Sequence, residues 1–351
     1  MMINDHSKEL QRFHTLDFLR GIAAMLVVFV HNYKTGIKSL DEAQNYGHLG
    51  VKIFFVISGF IIPYILFKSG YVWKDSFQFL LKRMVRIVFP AWITLILAIL
   101  FHFFMKLKDG ELFSIAPAQL ITNLLFIPEF FGYKWFMPIF WTLAIEFQFY
   151  MIICVIFPFI IHSNFFIKCF SLGLLGCSYL LFERMNLSIL IMRGSIFAHG
   201  VFFVFGILVF LLREKQISVK QCFFLFIVFS ITGLYQSDLI NIGTGVITSI
   251  IISFFYINIP FFNYLGNISY SLYLLHPLVI IMSEPILTKF LPIFKDKPFN
   301  VLGMFIYTLC CIFAAHFYCK VVEKPFIKYS ANVKYLFKEN NIFKPKVNKL
   351  L

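Results

Sequence analysis

Apolar stretches long enough to cross a bilayer recur along this chain from residue 16 to residue 320, with short polar segments between them. No other feature restricts the fold as strongly. A hydrocarbon core about 30 Å thick is spanned by about 20 helical residues. Only helices or closed barrels satisfy their backbone hydrogen bonds there. The runs here are continuous and do not alternate, which argues against a barrel. Composition agrees: 60% of the residues are hydrophobic and 14% charged, against roughly 45–50% and about 25% in soluble domains. The expected fold class is an all-α polytopic integral membrane protein.

The runs fall at about 16–33, 50–67, 87–105, 139–161, 166–182, 196–212, 222–235, 242–257, 269–282 and 301–322, which makes about ten transmembrane helices. A mixed segment at 109–138 holds a short apolar piece, 120–127, read as interfacial or re-entrant. Basic residues cluster before the first run (Lys8, Arg12, Arg20), before the third (Lys68, Lys74, Lys82, Arg83, Arg86), after the sixth (Arg213, Lys215, Lys220) and in the tail. All of these fall on one side if the N- and C-termini are both cytoplasmic. The net charge of +14 is then a topology signal, and no nucleic acid is expected as a partner. The first run lacks a small-residue cleavage site and is read as retained. The seven cysteines lie mostly in apolar runs and form no CxxC pair, so neither a disulfide framework nor a metal site is expected. No internal repeat is visible. The chain divides into a short segment 1–15, a transmembrane domain 16–326 and a basic tail 327–351.

A charge at the centre of a spanning helix costs about 2.5–3.5 kcal/mol on insertion scales, so each one needs a reason. In LDFLRGIAAMLVVFVHNY, Arg20 and His31 are eleven residues apart. Eleven helical steps return to within about 20° of the starting direction and climb about 16 Å. The two side chains share a face, either as parts of a site threaded along the helix or as markers of its two membrane edges. Asp17 stands three residues before Arg20 and can pair with it; Asn32 follows His31. In KRMVR, Arg83 and Arg86 face the same way on a helix. They suit a phosphate, which arginine holds bidentately, or serve as ordinary flanking charge against anionic lipid. In FWTLAIEFQFY, Glu146 shares a face with Tyr150, with Trp141 near the start. The carboxylate either pairs with a cation or imidazole in the bundle or ties helices together. In NISYSLYLLHP, Ser269, Tyr273 and His276 form a polar stripe, and Pro277 lacks the N–H of a regular helix. That stripe suits either a site or polar helix packing. Ser58-Gly59 in FFVISGF reads as a close helix contact. His102, His162, His199 and His316 are isolated and read as structural.

Together these pieces resemble the acyltransferase-3 family of integral membrane acyltransferases, which O-acylate surface polysaccharides and related acceptors. The matching pieces are LDFLRGIAAMLVVFVH with its R-x10-H spacing, FFVISGF, the R-x-x-R of KRMVR, WTLAIEFQFY, SYSLYLLHP and the terminal VEKPF, in the family's order from Asp17 to Phe326. Thr142 stands where the family more often has serine; both carry a hydroxyl. The length leaves no room for the extra SGNH-type domain of some members, so the stand-alone form is expected.

The resemblance implies a catalytic His31 with Arg20 as its partner, and an Arg83–Arg86 pair holding acyl-CoA. Glu146 and His276 match motif positions of less defined role. The expected activity is O-acetyl transfer, or transfer of another short acyl group, from cytoplasmic acetyl-CoA to a saccharide hydroxyl. His31 would take the hydroxyl proton or carry the acyl group, with Glu146 orienting it or contacting the acceptor. Asp17, Asn32, Trp141, Tyr150, Ser269, Tyr273 and His276 would support the site or the substrate. The expectation is a donor substrate, no permanently bound cofactor and no metal, in a bacterial cytoplasmic membrane. A polytopic saccharide or lipid transporter is the alternative; it would more often show repeats and broken helices in both halves.

Overall fold

The computed structural model describes residues 13–32, 35, 37–180, 194–290 and 300–333, with no side-chain description at 284–290 and 300. Lys8, Arg12 and the tail from Lys334 onward, which carry part of the expected topology signal, lie outside the described residues. The described residues are mostly helical and contain no strand. The principal helices are α1 (His14–His31), α2 (Lys38–Gln44), α3 (Leu49–Ser69), α4 (Ser76–Arg83), α5 (Phe89–Lys108), α6 (Pro117–Leu124), α7 (Phe140–Ile160), α8 (Phe165–Gly176), α9 (Gly200–Arg213), α10 (Val219–Leu234), α11 (Leu239–Phe254), α12 (Pro260–Asn267), α13 (Ser269–Phe290), α14 (Asn300–Tyr318) and α15 (Lys324–Asn332).

Among the described residues, five helical stretches are long and apolar enough to cross a membrane: His14–His31, Lys38–Ser69, Trp73–Lys108, Phe140–Ile160 and Val301–Asn332. α12 and α13 up to Ser283 pass the same test only when taken together, and they are bent by 73° at their junction. The shorter apolar helices α8, α9, α10 and α11 occupy the places of the other four expected spans. The chain is an all-α polytopic membrane protein. α9 is apolar all round and almost wholly buried, as a helix at the centre of a bundle must be. It crosses α3 at two glycines. A Cβ on Gly59 would lie 2.1 Å from the carbonyl oxygen of Phe203, and one on Gly206 would lie 2.1 Å from that of Val56. Outward-facing Ile96, Leu97, Leu100, Phe103 and Phe104 of α5 are exposed, which suits a lipid-facing surface.

Three local features depart from the sequence reading. The segment 258–263, which lies between the eighth and ninth expected runs, leads into α12. This helix packs on α1 so closely that a Cβ on Gly266 would sit 1.9 Å from the Asp17 carbonyl oxygen. α12 and α13 are bent as a broken span or a re-entrant segment would be, and among the described residues no other helix pair is bent in this way. The third span starts earlier than expected, because α4 and α5 are joined by a π turn at Met84–Val88. A second π turn, Cys319–Glu323, joins α14 to α15. In both places a proline stands two residues beyond the wide turn, Pro90 and Pro325. Proline gives no N–H to the carbonyl four residues back and its ring crowds that carbonyl. Widening the preceding turn relieves the clash, and such turns often fall at functional sites.

Candidate active site

The two π turns, the start of α1 and the α12–α13 break converge on a cavity of about 1010 Å³. Its basic lining residues are Arg20, Arg83, Arg86, Lys320 and Lys324; its carboxylates are Asp17, Glu146 and Glu323. The cations outnumber the carboxylates, so the cavity favours an anion. It extends from the level where α1 begins to Phe54, Thr142 and Tyr273 in the opposite half of the bundle. That length suits a long, thin ligand better than a compact one.

The charges interleave. Arg20 Nη1 lies 3.8 Å from Asp17 Oδ1, one helical turn away, and within electrostatic reach of Arg86 and Glu146. Glu146 Oε1 accepts a hydrogen bond from Ser58 Oγ at 2.9 Å and another from the Tyr150 hydroxyl. The Arg83 guanidinium lies over the rings of Phe79, at 5.4 Å, and Tyr150, at 5.6 Å. The guanidinium is attracted to the faces of these rings. Arg86 sits in the first π turn, and the Tyr270 hydroxyl donates to the adjacent Ile87 carbonyl at 2.5 Å. Glu323, in the second π turn, accepts from Ser271 Oγ at 2.5 Å. Ser269 opens α13 and donates to the Gly266 carbonyl at 2.8 Å.

The far end of the cavity is lined by Tyr273, whose hydroxyl donates to the Ile139 carbonyl at 2.9 Å and lies 2.5 Å from Thr142 Oγ1. Beyond it stand two imidazoles. The Tyr273 ring is 5.8 Å from that of His276, and the His276 ring is 5.0 Å from that of His31. His276 is wholly buried, whereas His31 ends α1 and is exposed. Neither imidazole is among the residues lining the cavity.

Asp17, Arg20, Arg83, Arg86, Glu146, Tyr150, Ser269 and Tyr273 therefore share one cavity, while His31 and His276 form a pair beyond its end. The group against His31 is His276; the contacts of Glu146 are Ser58 and Tyr150. Asn32 binds the Met304 carbonyl and Thr308 Oγ1, each at 3.1 Å, and so fastens the end of α1 to α14. Trp141 packs on the His199 ring at 5.4 Å, away from the cavity. Lys320, Lys324 and Glu323 were not singled out from the sequence as site residues. Glu323 and Lys324 lie in the VEKPF motif and Lys320 just before it, but the π turn that brings these residues to the cavity leaves no periodic trace in the sequence. His316, read as isolated, lines the cavity and bonds the Tyr264 hydroxyl through Nδ1 at 3.0 Å.

Comparison with known proteins gives a consistent picture. A family model described as an acyltransferase domain matches residues 13–317. The O-acetyltransferase OatA of Staphylococcus aureus (strain NCTC 8325 / PS 47) is 28% identical over 193 residues, covering 48% of this chain and 31% of OatA. Protein 2 in the picA locus of Rhizobium radiobacter is 31% identical over 130 residues, covering 34% of this chain and 65% of that protein. The chain thus spans less than a third of OatA's length. No solved structure matches.

Proposed function

The chain belongs to the acyltransferase-3 family and is a membrane acyltransferase, and on that premise we propose that it moves a short acyl group, acetyl foremost, from cytoplasmic acyl-CoA to a hydroxyl of a cell-surface saccharide. The observation that carries the reading is the basic cavity that leads toward a pair of imidazoles. Acyl-CoA is polyanionic at one end and thin at the other. Its phosphates dock on Arg83, Arg86 and Arg20, with Lys320 and Lys324 at the same end. Arginine suits this task because its planar fork matches phosphate oxygens. The pantetheine arm then lies along the cavity, and the thioester passes the Tyr273–Thr142 pair to reach His31.

At His31 the acceptor hydroxyl gives its proton to the imidazole as its oxygen attacks the thioester carbonyl. A C–O bond forms, the C–S bond breaks, and the proton passes on to the leaving sulfur. The exposure of His31 supports an acceptor arriving from the side opposite the donor. Glu146, held by Ser58 and Tyr150, lies within electrostatic reach of Arg20 and offsets part of the positive charge. The name of OatA, an O-acetyltransferase, favours acetyl and an oxygen acceptor. The expected setting is a bacterial cytoplasmic membrane, with membrane lipid around the bundle and both chain ends in the cytoplasm.

The test is surface-glycan mass in cells with and without the protein, and with His31→Ala expressed at equal level. The proposal expects one acetyl mass unit per acylated sugar, lost in the variant. Wild-type acetylation by His31→Ala would remove His31 from its role.

A further inference from the structure

Pro277 has no N–H, so the carbonyl of Tyr273, four residues back in α13, lacks its regular helical donor. The His276 side chain fills that place. Its Nδ1 lies 2.7 Å from the Tyr273 oxygen and 3.3 Å from that of Leu272. A carbonyl oxygen can only accept, so Nδ1 of His276 carries the hydrogen and Nε2 carries the lone pair. That Nε2 points at Nδ1 of His31, 3.2 Å away. Nδ1 of His31 is also 2.9 Å from the Val27 carbonyl oxygen. It must therefore carry a hydrogen too, shared between that oxygen and the His276 lone pair. The opposite assignment would set ring lone pairs against carbonyl oxygens on both residues. One nitrogen then remains without a hydrogen on the exposed ring, Nε2 of His31.

We propose that His276 is a positioning residue for acyl transfer, locking His31 in the Nδ1–H form with Nε2 as the proton acceptor and supporting the charge that His31 carries after taking the acceptor's proton. This rests on the reading of His31 as the base. The order of parts is a proline-freed carbonyl, a buried imidazole, a reactive imidazole and the hydroxyl. A carboxylate often orients a catalytic histidine, but an ionised carboxylate is costly inside a bilayer. A neutral imidazole anchored on a carbonyl does the same work without a charge. In the transfer, the hydroxyl proton moves to Nε2 of His31 and then to the departing sulfur. His276 neither gains nor loses a proton.

Two measurements on the full chain in lipid nanodiscs test this. With histidines labelled by ¹⁵N, and His31→Gln and His276→Gln used to assign signals, both residues should show a hydrogen-bearing Nδ1 and a bare Nε2 without any substrate. A bare Nδ1 on His31 overturns the proposal. In acetyl-transfer kinetics, His276→Met removes the acceptor at similar volume, whereas His276→Gln puts a carboxamide oxygen where Nε2 was. We expect kcat to fall about 10- to 100-fold in the Met variant, with KM for acetyl-CoA unchanged, and to be about tenfold higher in the Gln variant than in the Met variant. Unaltered kcat in the Met variant, or a fall that Gln does not relieve, contradicts it. A wild-type protein that shows the nitrogen pattern but transfers no acyl group would overturn the functional reading instead.

Discussion

Replacing Gly266 by alanine adds one methyl group at the tightest point between α12 and α1. The new Cβ would stand 1.9 Å from the Asp17 carbonyl oxygen, 2.6 Å from its carbonyl carbon and 2.9 Å from its Cα. All three are backbone atoms, so no side chain can rotate aside, and the helices must part by about 1 Å. Overpacking of this kind costs about 1–3 kcal/mol. At about 2–4 °C per kcal/mol for a chain of this order of size, the melting temperature should fall by about 2–12 °C. Gly243→Ala is the control: a Cβ there meets nothing within 4 Å, and helix propensity alone should stabilise it by up to about 1 kcal/mol. The assay is thermal unfolding of both purified variants in the same detergent, followed by size exclusion of the surviving protein. Because Asp17 and Arg20 ride on the displaced turn, Gly266→Ala should also lose acyl transfer. Equal melting temperatures for the two variants would refute the backbone contact and the placement of Asp17 and Arg20 that depends on it.

Further predictions concern the cavity. Arg83→Ala with Arg86→Ala should raise KM for acetyl-CoA at least about tenfold, since each hydrogen bond to a charged group contributes about 1.5–3 kcal/mol; steady-state kinetics with an unchanged KM would remove phosphate docking there. Ser58→Ala and Tyr150→Phe each remove one donor from Glu146 Oε1. Either should cost about 1–3 kcal/mol of stability, and a double-mutant cycle on melting should show non-additivity because the two share one acceptor atom.

The class of fold was legible because apolar runs of spanning length have few other solutions, and Arg20 with Asp17 could be paired from their spacing alone. So could the close approach at Gly59, from a small residue in an apolar run. The helices α8 to α11 were less clear, since the described parts are shorter than a bilayer-spanning segment and differ from buried core helices only in context. Periodicity assumes a constant turn. It therefore missed both π turns, although Pro90 and Pro325 were present to suggest them, and with them the inward aim of Lys320 and Glu323. The contact between His31 and His276 is a meeting of residues 245 positions apart, which no local pattern encodes. The motif order hinted at it only by placing both histidines in one set. Glu146 was expected to face the bundle interior against a cation or imidazole; it is half-buried in the cavity wall and bonds two hydroxyls. Its partners Ser58 and Tyr150 divide into one that helix spacing reveals and one that only packing does.

The central claim is that a donor held on one side of the membrane serves an acceptor on the other through His31. The direct measurement uses proteoliposomes of defined orientation, with acetyl-CoA carrying a labelled acetyl group supplied to the cavity side and a saccharide acceptor supplied to the side of His31. Label should appear on the saccharide, should be absent when donor and acceptor are exchanged, and should be absent with His31→Ala. Equal labelling from either side, or undiminished labelling without the imidazole, would contradict the account.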